Sequence, residues 1–115
     1  MTAEPLTPDE QPVAQPTPPD LAVDRLVHEP ARLGILSVLD GQKEADFQFL
    51  QTVLGLSKGN LSSHLAKLEA AELIRVTKTF QGKIPRTMQA ITPDGRAALK
   101  RHWEQMEAIR RLGQG

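Results

Sequence analysis

Lys58, Asn60, Ser62, Ser63, His64 and Lys67 fall within ten consecutive residues. Their side chains are donors and acceptors of the kinds that pair with phosphate oxygens and base edges. Asn60 and Ser63, with a short amide and a short hydroxyl, suit base edges. Lys58 and Lys67 suit backbone phosphates. Lys78, Lys83 and Arg86 extend the basic set downstream. Nucleophilic catalysis by Ser62 or Ser63 with His64 is the competing chemistry. Sequence neighbours on a helix point about 100° apart, and no orienting carboxylate or pocket-forming glycine accompanies them, so the chain is not read as an enzyme. Gly82-Lys83 lacks the strand-loop-helix context of a phosphate-binding loop.

These residues need a helix and a turn to present them. Leu61, Leu65 and Leu68 recur at i, i+4 and i+7, so they share one helical face, and Ser57 is a fitting N-cap. Gly59, Asn60, Ser63 and Lys67 take the opposite face, and His64 lies between the two. After Ile74 the period changes from 3.6 to 2. Residues 75–80 and 86–91 alternate as two strands, and residues 81–85, with Gly82 and Pro85, supply the turn. Upstream, Pro30 opens a helix containing Leu33, Ile35, Leu36, Val38 and Leu39, which Gly41 ends. Asp46 caps the next helix, whose apolar face is Phe47, Leu50, Val53 and Leu54. Gly55 turns sharply, with Leu56 plugged inward, in a helix-turn-helix layout. Residues 21–27 read as a further short helix capped by Asp20.

Residues 1–20 hold six prolines and almost no apolar bulk, which predicts a disordered tail. The tail carries four acidic and no basic residues. The rest of the chain is therefore net positive, although the total is zero. Between Ser57 and Arg86 six basic residues face only Glu69 and Glu72, the charge footprint of a nucleic-acid surface. There are no cysteines, which excludes disulfides, thiolate metal sites and cysteine nucleophiles. His28, His64 and His102 are far apart in sequence and form no ligand spacing, so no metal and no cofactor are expected. No stretch is apolar enough to span a bilayer, and the N-terminus lacks a signal core, so a cytoplasmic location is expected.

The order and spacing of four segments resemble the winged helix-turn-helix transcriptional regulators of prokaryotes, near the MarR and ArsR groups. The segments are His28-Glu29-Pro30-Ala31-Arg32, residues 57–74, Gly82 to Thr87, and Ile91-Thr92-Pro93-Asp94-Gly95-Arg96. The resemblance implies a mainly α domain over residues 21–112 with a small β-hairpin, the wing. It also implies binding of double-stranded DNA, with Lys83 and Arg86 at the wing tip reaching phosphates or a narrow minor groove. The chain departs from the pattern at one position. Such recognition helices end in Ala-Gly-Leu with a left-handed glycine, and here Glu72 takes that place.

Thr92, Pro93 and Asp94 start a last helix, with Leu99, Trp103 and Met106 at i, i+4 and i+7 and Ile109 and Leu112 continuing the stripe. A stripe this long needs a surface to cover it, and the same helix of a second copy supplies one, so a homodimer is expected. Trp103 and Met106 would then line either a packed interface or the pocket of a small-molecule effector. His102 with Glu104 reads as a surface pair. A winged helix serving as a protein-docking module without DNA readout is the alternative function.

Overall fold

The computed structural model describes residues 21–114. The expected tail, residues 1–20, lies outside them. The elements run α1 (Pro30–Asp40), β1 (Ala45–Asp46), α2 (Phe47–Leu54), α3 (Lys58–Ala70), β2 (Ile74–Gln81), β3 (Ile84–Ile91) and α4 (Pro93–Arg111), closed by a 3-10 turn, Leu112–Gln114. This is a mainly α winged helix with a small antiparallel sheet.

Each helix starts on a capping side chain. Glu29, Asp46, Ser57 and Thr92 accept from the amides of Arg32, Phe49, Asn60 and Gly95, at 2.9, 2.6, 3.1 and 3.0 Å. These caps satisfy amides that no helical carbonyl can reach. Pro30 and Pro93 fill first-turn positions where no amide hydrogen is needed. Gly55 adopts φ 63° between α2 and α3, a conformation costly for side chains with a Cβ. The core gathers Ile35, Leu36 and Leu39 of α1, Leu50 of α2, and Leu61 and Leu68 of α3, all fully buried.

The end of α3 settles the question raised by Glu72. Leu73 N donates to Leu68 O at 3.0 Å, Glu72 N donates to Glu69 O at 2.9 Å, and Glu72 holds φ 61°. This is the Schellman ending, with glutamate in the glycine position and the buried Leu68 and Leu73 as its apolar pair. Thr92 braces it, its Oγ1 donating to Glu72 O at 2.7 Å and its N donating to Leu73 O at 3.0 Å. Gly95 passes so close beneath that a Cβ there would overlap the Leu73 carbonyl.

The hairpin is longer and tighter than the five-residue turn expected from sequence. Pairing runs from Ile74↔Ile91 to Gln81↔Ile84, leaving Gly82 and Lys83 as the whole loop. Gly82, at φ 64°, is the first loop residue, the signature of a type II′ turn. Pro85 fits because its pair with Phe80 follows the bonded pair at the loop, where the strand's missing N–H faces away from β2. The short β1 adds a third strand, Ala45↔Gln89 and Asp46↔Met88, giving the order β1-β3-β2. Two residues are too few to show a periodicity.

Other expectations need correction. Residues 21–27 form no helix. Asp24 draws the chain into a turn: its Oδ1 accepts from Leu26 N at 3.0 Å, and its carbonyl accepts from Val27 N and His28 N at 3.1 and 2.7 Å. Val53 is 52% exposed. The eight-residue α2 meets the core along Phe47, Leu50 and Leu54, and Val53 sits roughly 90° off that line. Leu99 is 4% exposed within its own domain's core, so it does not belong to an outward stripe. Ala98 and Leu99 pack with the core cluster, which shows that α4 completes the domain before it extends beyond it. His102 is buried, not a surface partner of Glu104, and its ring centroid lies 5.1 Å from that of His28. Two histidines distant in sequence are thus neighbours in space.

Candidate nucleic-acid interface

The buried leucines of α3 determine how its other residues are arranged. With Leu61, Leu65 and Leu68 facing inward, steps of 100° divide the rest of the helix into three zones. Asn60, Ser63 and Lys67, with Gly59 beside them, point away from the core and are exposed. Lys58 and Ser62 occupy the shoulder toward the wing. There they line a groove of about 660 Å³ with Pro85 and Arg86 of β3, and Asp46 beside them. His64 takes the other shoulder, toward α1, and is half-buried.

The sequence-predicted residues therefore do not form one patch of equivalent groups. The side chains of Asn60, Ser63 and Lys67 have no hydrogen-bond or ion-pair partner among the described residues. Lys78 on β2 and Lys83 in the two-residue turn are exposed. Arg86 is engaged: its Nη1 meets Asp46 Oδ2 at 2.6 Å, so its charge fastens the wing to the start of α2. His64 is engaged as well. Arg32 Nη1 lies 3.0 Å from its Nδ1, and Glu29 Oε2 lies 3.7 Å from the same atom. Burial would raise the Glu29 carboxyl. The amides of Arg32 and Ala31, with the guanidinium charge of Arg32, outweigh that and hold it below its ordinary value.

The contacts of Arg32 and Glu29 with His64 were missed, because that partner lies some thirty residues downstream. Gln89 was missed too. It is 1% exposed beneath the groove, and its side-chain carbonyl has no hydrogen-bond partner among the described residues. Counting back two residues from Ile91 along an alternating strand places it inward, which was the available signal. The cavity beside α4, about 390 Å³, is lined by Asp24, Ala98 and His102 among others, and by neither Trp103 nor Met106.

The winged helix DNA-binding domain family model matches residues 31–110. An uncharacterised protein of Methanocaldococcus jannaschii is 33% identical over 79 residues, spanning 68% of this chain and 85% of the relative. Among solved structures, a transcriptional regulator homologue from Pyrococcus horikoshii superposes with a TM-score of 0.69 at 36% identity, over 73% of this chain and 83% of that one. The transcriptional repressor CouR, solved bound to a 23-mer DNA duplex, superposes with a TM-score of 0.63 at 26% identity, over 72% of this chain and 59% of that one.

Proposed function

This chain belongs to the winged helix DNA-binding domain family and is a DNA-binding regulator; from that premise we propose that two copies together grip a double-stranded site, α3 reading the major groove and the wing holding the flanking backbone. One observation carries this reading: the outward face of α3 presents the side chains of Asn60, Ser63 and Lys67 unengaged, and the hairpin exposes Lys78 and Lys83. Asn60 and Ser63 read base edges. Lys58, Lys67, Lys78 and Lys83 contact phosphates, with Ser62 beside Lys58 on the groove shoulder. Arg86 serves chiefly to set the wing. Among the described residues no helix is long and apolar enough to cross a membrane, and the proposed place of action is the cytoplasm. The dimer forms through α4 and the 3-10 turn that follows it, where Trp103 is 49% and Leu112 62% exposed and Met106 and Ile109 are half-buried.

Duplex binding measured against salt tests the reading. Lys83→Ala should weaken binding to all sequences alike and flatten the log–log salt slope by about 0.9, one phosphate contact's share. Asn60→Ala should leave the slope and erase discrimination, at about 1–3 kcal/mol for a lost bidentate base contact. The second reading, a protein-docking module, is favoured by the apolar wing tip, where Phe80 is 71% and Ile84 65% exposed. Duplex binding that shows no salt dependence and no sequence preference would turn the assignment to that module.

A further inference from the structure

We propose that Arg32 is a positioning residue for DNA recognition: it holds the His64 ring in the tautomer protonated at Nε2, so that the shoulder of α3 offers the duplex an uncharged N–H donor. The proposal rests on the DNA-binding reading above and adds to it a residue of α1 that faces the protein's own interior turn.

The guanidinium of Arg32 is held on three sides. Its Nε donates to Leu26 O, its Nη2 donates to Arg25 O at 3.3 Å, and its Nη1 lies 3.0 Å from His64 Nδ1. A guanidinium stays protonated and has no acceptor. In that contact only Nδ1 can accept, so the ring's single proton sits on Nε2. The rival partner is Glu29, whose carboxylate would draw a proton onto Nδ1. Its Oε2 stands 3.7 Å away, beyond hydrogen-bonding distance, and is already committed to the Arg32 amide at 2.9 Å. Arg32 thus engages Glu29 through its backbone and His64 through its side chain, and the carboxylate is kept from reversing the tautomer.

About a fifth of the His64 side chain remains exposed. Among the described residues no group pairs with Nε2. A donor on that shoulder, next to the outward face of α3, suits a phosphate oxygen, which only accepts. Because the ring carries no charge, the contact adds affinity without displacing a counterion. It therefore leaves the salt slope untouched.

Long-range nitrogen–proton correlation spectra of the full chain, labelled at histidine and free of DNA, test the device directly, with His64→Gln assigning the resonance. The expected result is a bare Nδ1 and a protonated Nε2 for His64 at mildly alkaline pH, and a mixture of tautomers in Arg32→Met. A wild-type ring protonated at Nδ1 overturns the proposal, as does an unchanged pattern in a folded Arg32→Met. If that variant does not fold, the wild-type spectrum still decides. On DNA, His64→Gln places an amide nitrogen near the Nε2 position and should hold affinity close to wild type. His64→Asn places its amide near Nδ1 and should lose about tenfold, with the salt slope unchanged in both. Equal losses in the two variants, or a slope lowered by nearly one, overturn the donor role. A wild type that binds no duplex at all would defeat the functional reading while leaving the tautomer result standing.

Discussion

Arg86 reaches across the groove to Asp46, Nη1 to Oδ2 at 2.6 Å, while the other oxygen of the same carboxylate caps α2 by accepting from Phe49 N at 2.6 Å. One side chain thereby starts a helix and anchors the wing. The two roles separate by substitution. Asp46→Ala should cost about 1–2 kcal/mol for the lost cap. Asp46→Asn keeps a competent cap and loses only the ion pair. Asp46→Asn and Arg86→Ala should therefore each cost under about 1 kcal/mol, as expected for a partly exposed pair. Chemical denaturation of the three variants checks the order, and an Asn variant as unstable as the Ala variant would deny the capping role.

Glu72 bears the left-handed backbone at the end of α3. Its own side chain is not needed for the bonds that define the ending, which all run through backbone atoms and Thr92. Glu72→Gly should raise stability by up to about 1 kcal/mol, the relief of the left-handed penalty less the entropy glycine adds to the unfolded chain. A lower melting temperature would mean that the glutamate makes a contact outweighing that relief.

His102 should make stability depend on pH. Burial first, and then the neighbouring His28, press its ring toward the neutral form, with Asp24 opposing, and its pKa lies below the ordinary 6.5. The unfolded chain takes up the proton near 6.5, and the folded chain does so only at lower pH. The contribution is therefore complete above about pH 6.5 and is lost as the pH falls through the folded value. Between about pH 7.5 and 5.5 the wild-type melting temperature should drop, and His102→Leu should flatten that drop. An equally steep decline in the variant would move the effect to other groups.

Trp103, Ile109 and Leu112 lie beyond the portion of α4 that the domain's own core covers. If a second copy covers them, Trp103→Glu should yield monomers and lose tight binding to a two-fold site, since each half-site would then be held alone. Light scattering at micromolar concentration checks this, and a monomeric wild type would end the dimer proposal.

What could be read from sequence alone was what neighbouring residues decide among themselves. Leu61, Leu65 and Leu68 announced α3 through their spacing, and Asp46, Ser57, Thr92 and Pro93 marked helix starts because a cap acts within three residues. Even the anomaly at Glu72 was visible, since the turn it occupies is local. What escaped depends on chain segments meeting in space. His28 comes to His102, Arg32 to His64 and Arg86 to Asp46 only after the helices dock. Leu99 and Val53 went astray for a related reason. Periodicity identifies an apolar side chain's face without telling which face the core will claim, or where along a helix that core ends.

The hairpin closes on two residues, Gly82 and Lys83, with every pair below them in register. Side chains along each strand alternate between the face toward α3 and the face away from it. Lengthening both strands by one residue would advance Lys83 by about 3.4 Å and would also exchange the faces of the residues nearest the tip. Two residues per strand would restore the original parity, with an advance of about 7 Å. The reach of the wing can thus be adjusted in coarse increments only, roughly the axial rise of two base pairs. A relative that grips its site one base pair farther out must achieve this by tilting the hairpin, not by extending it.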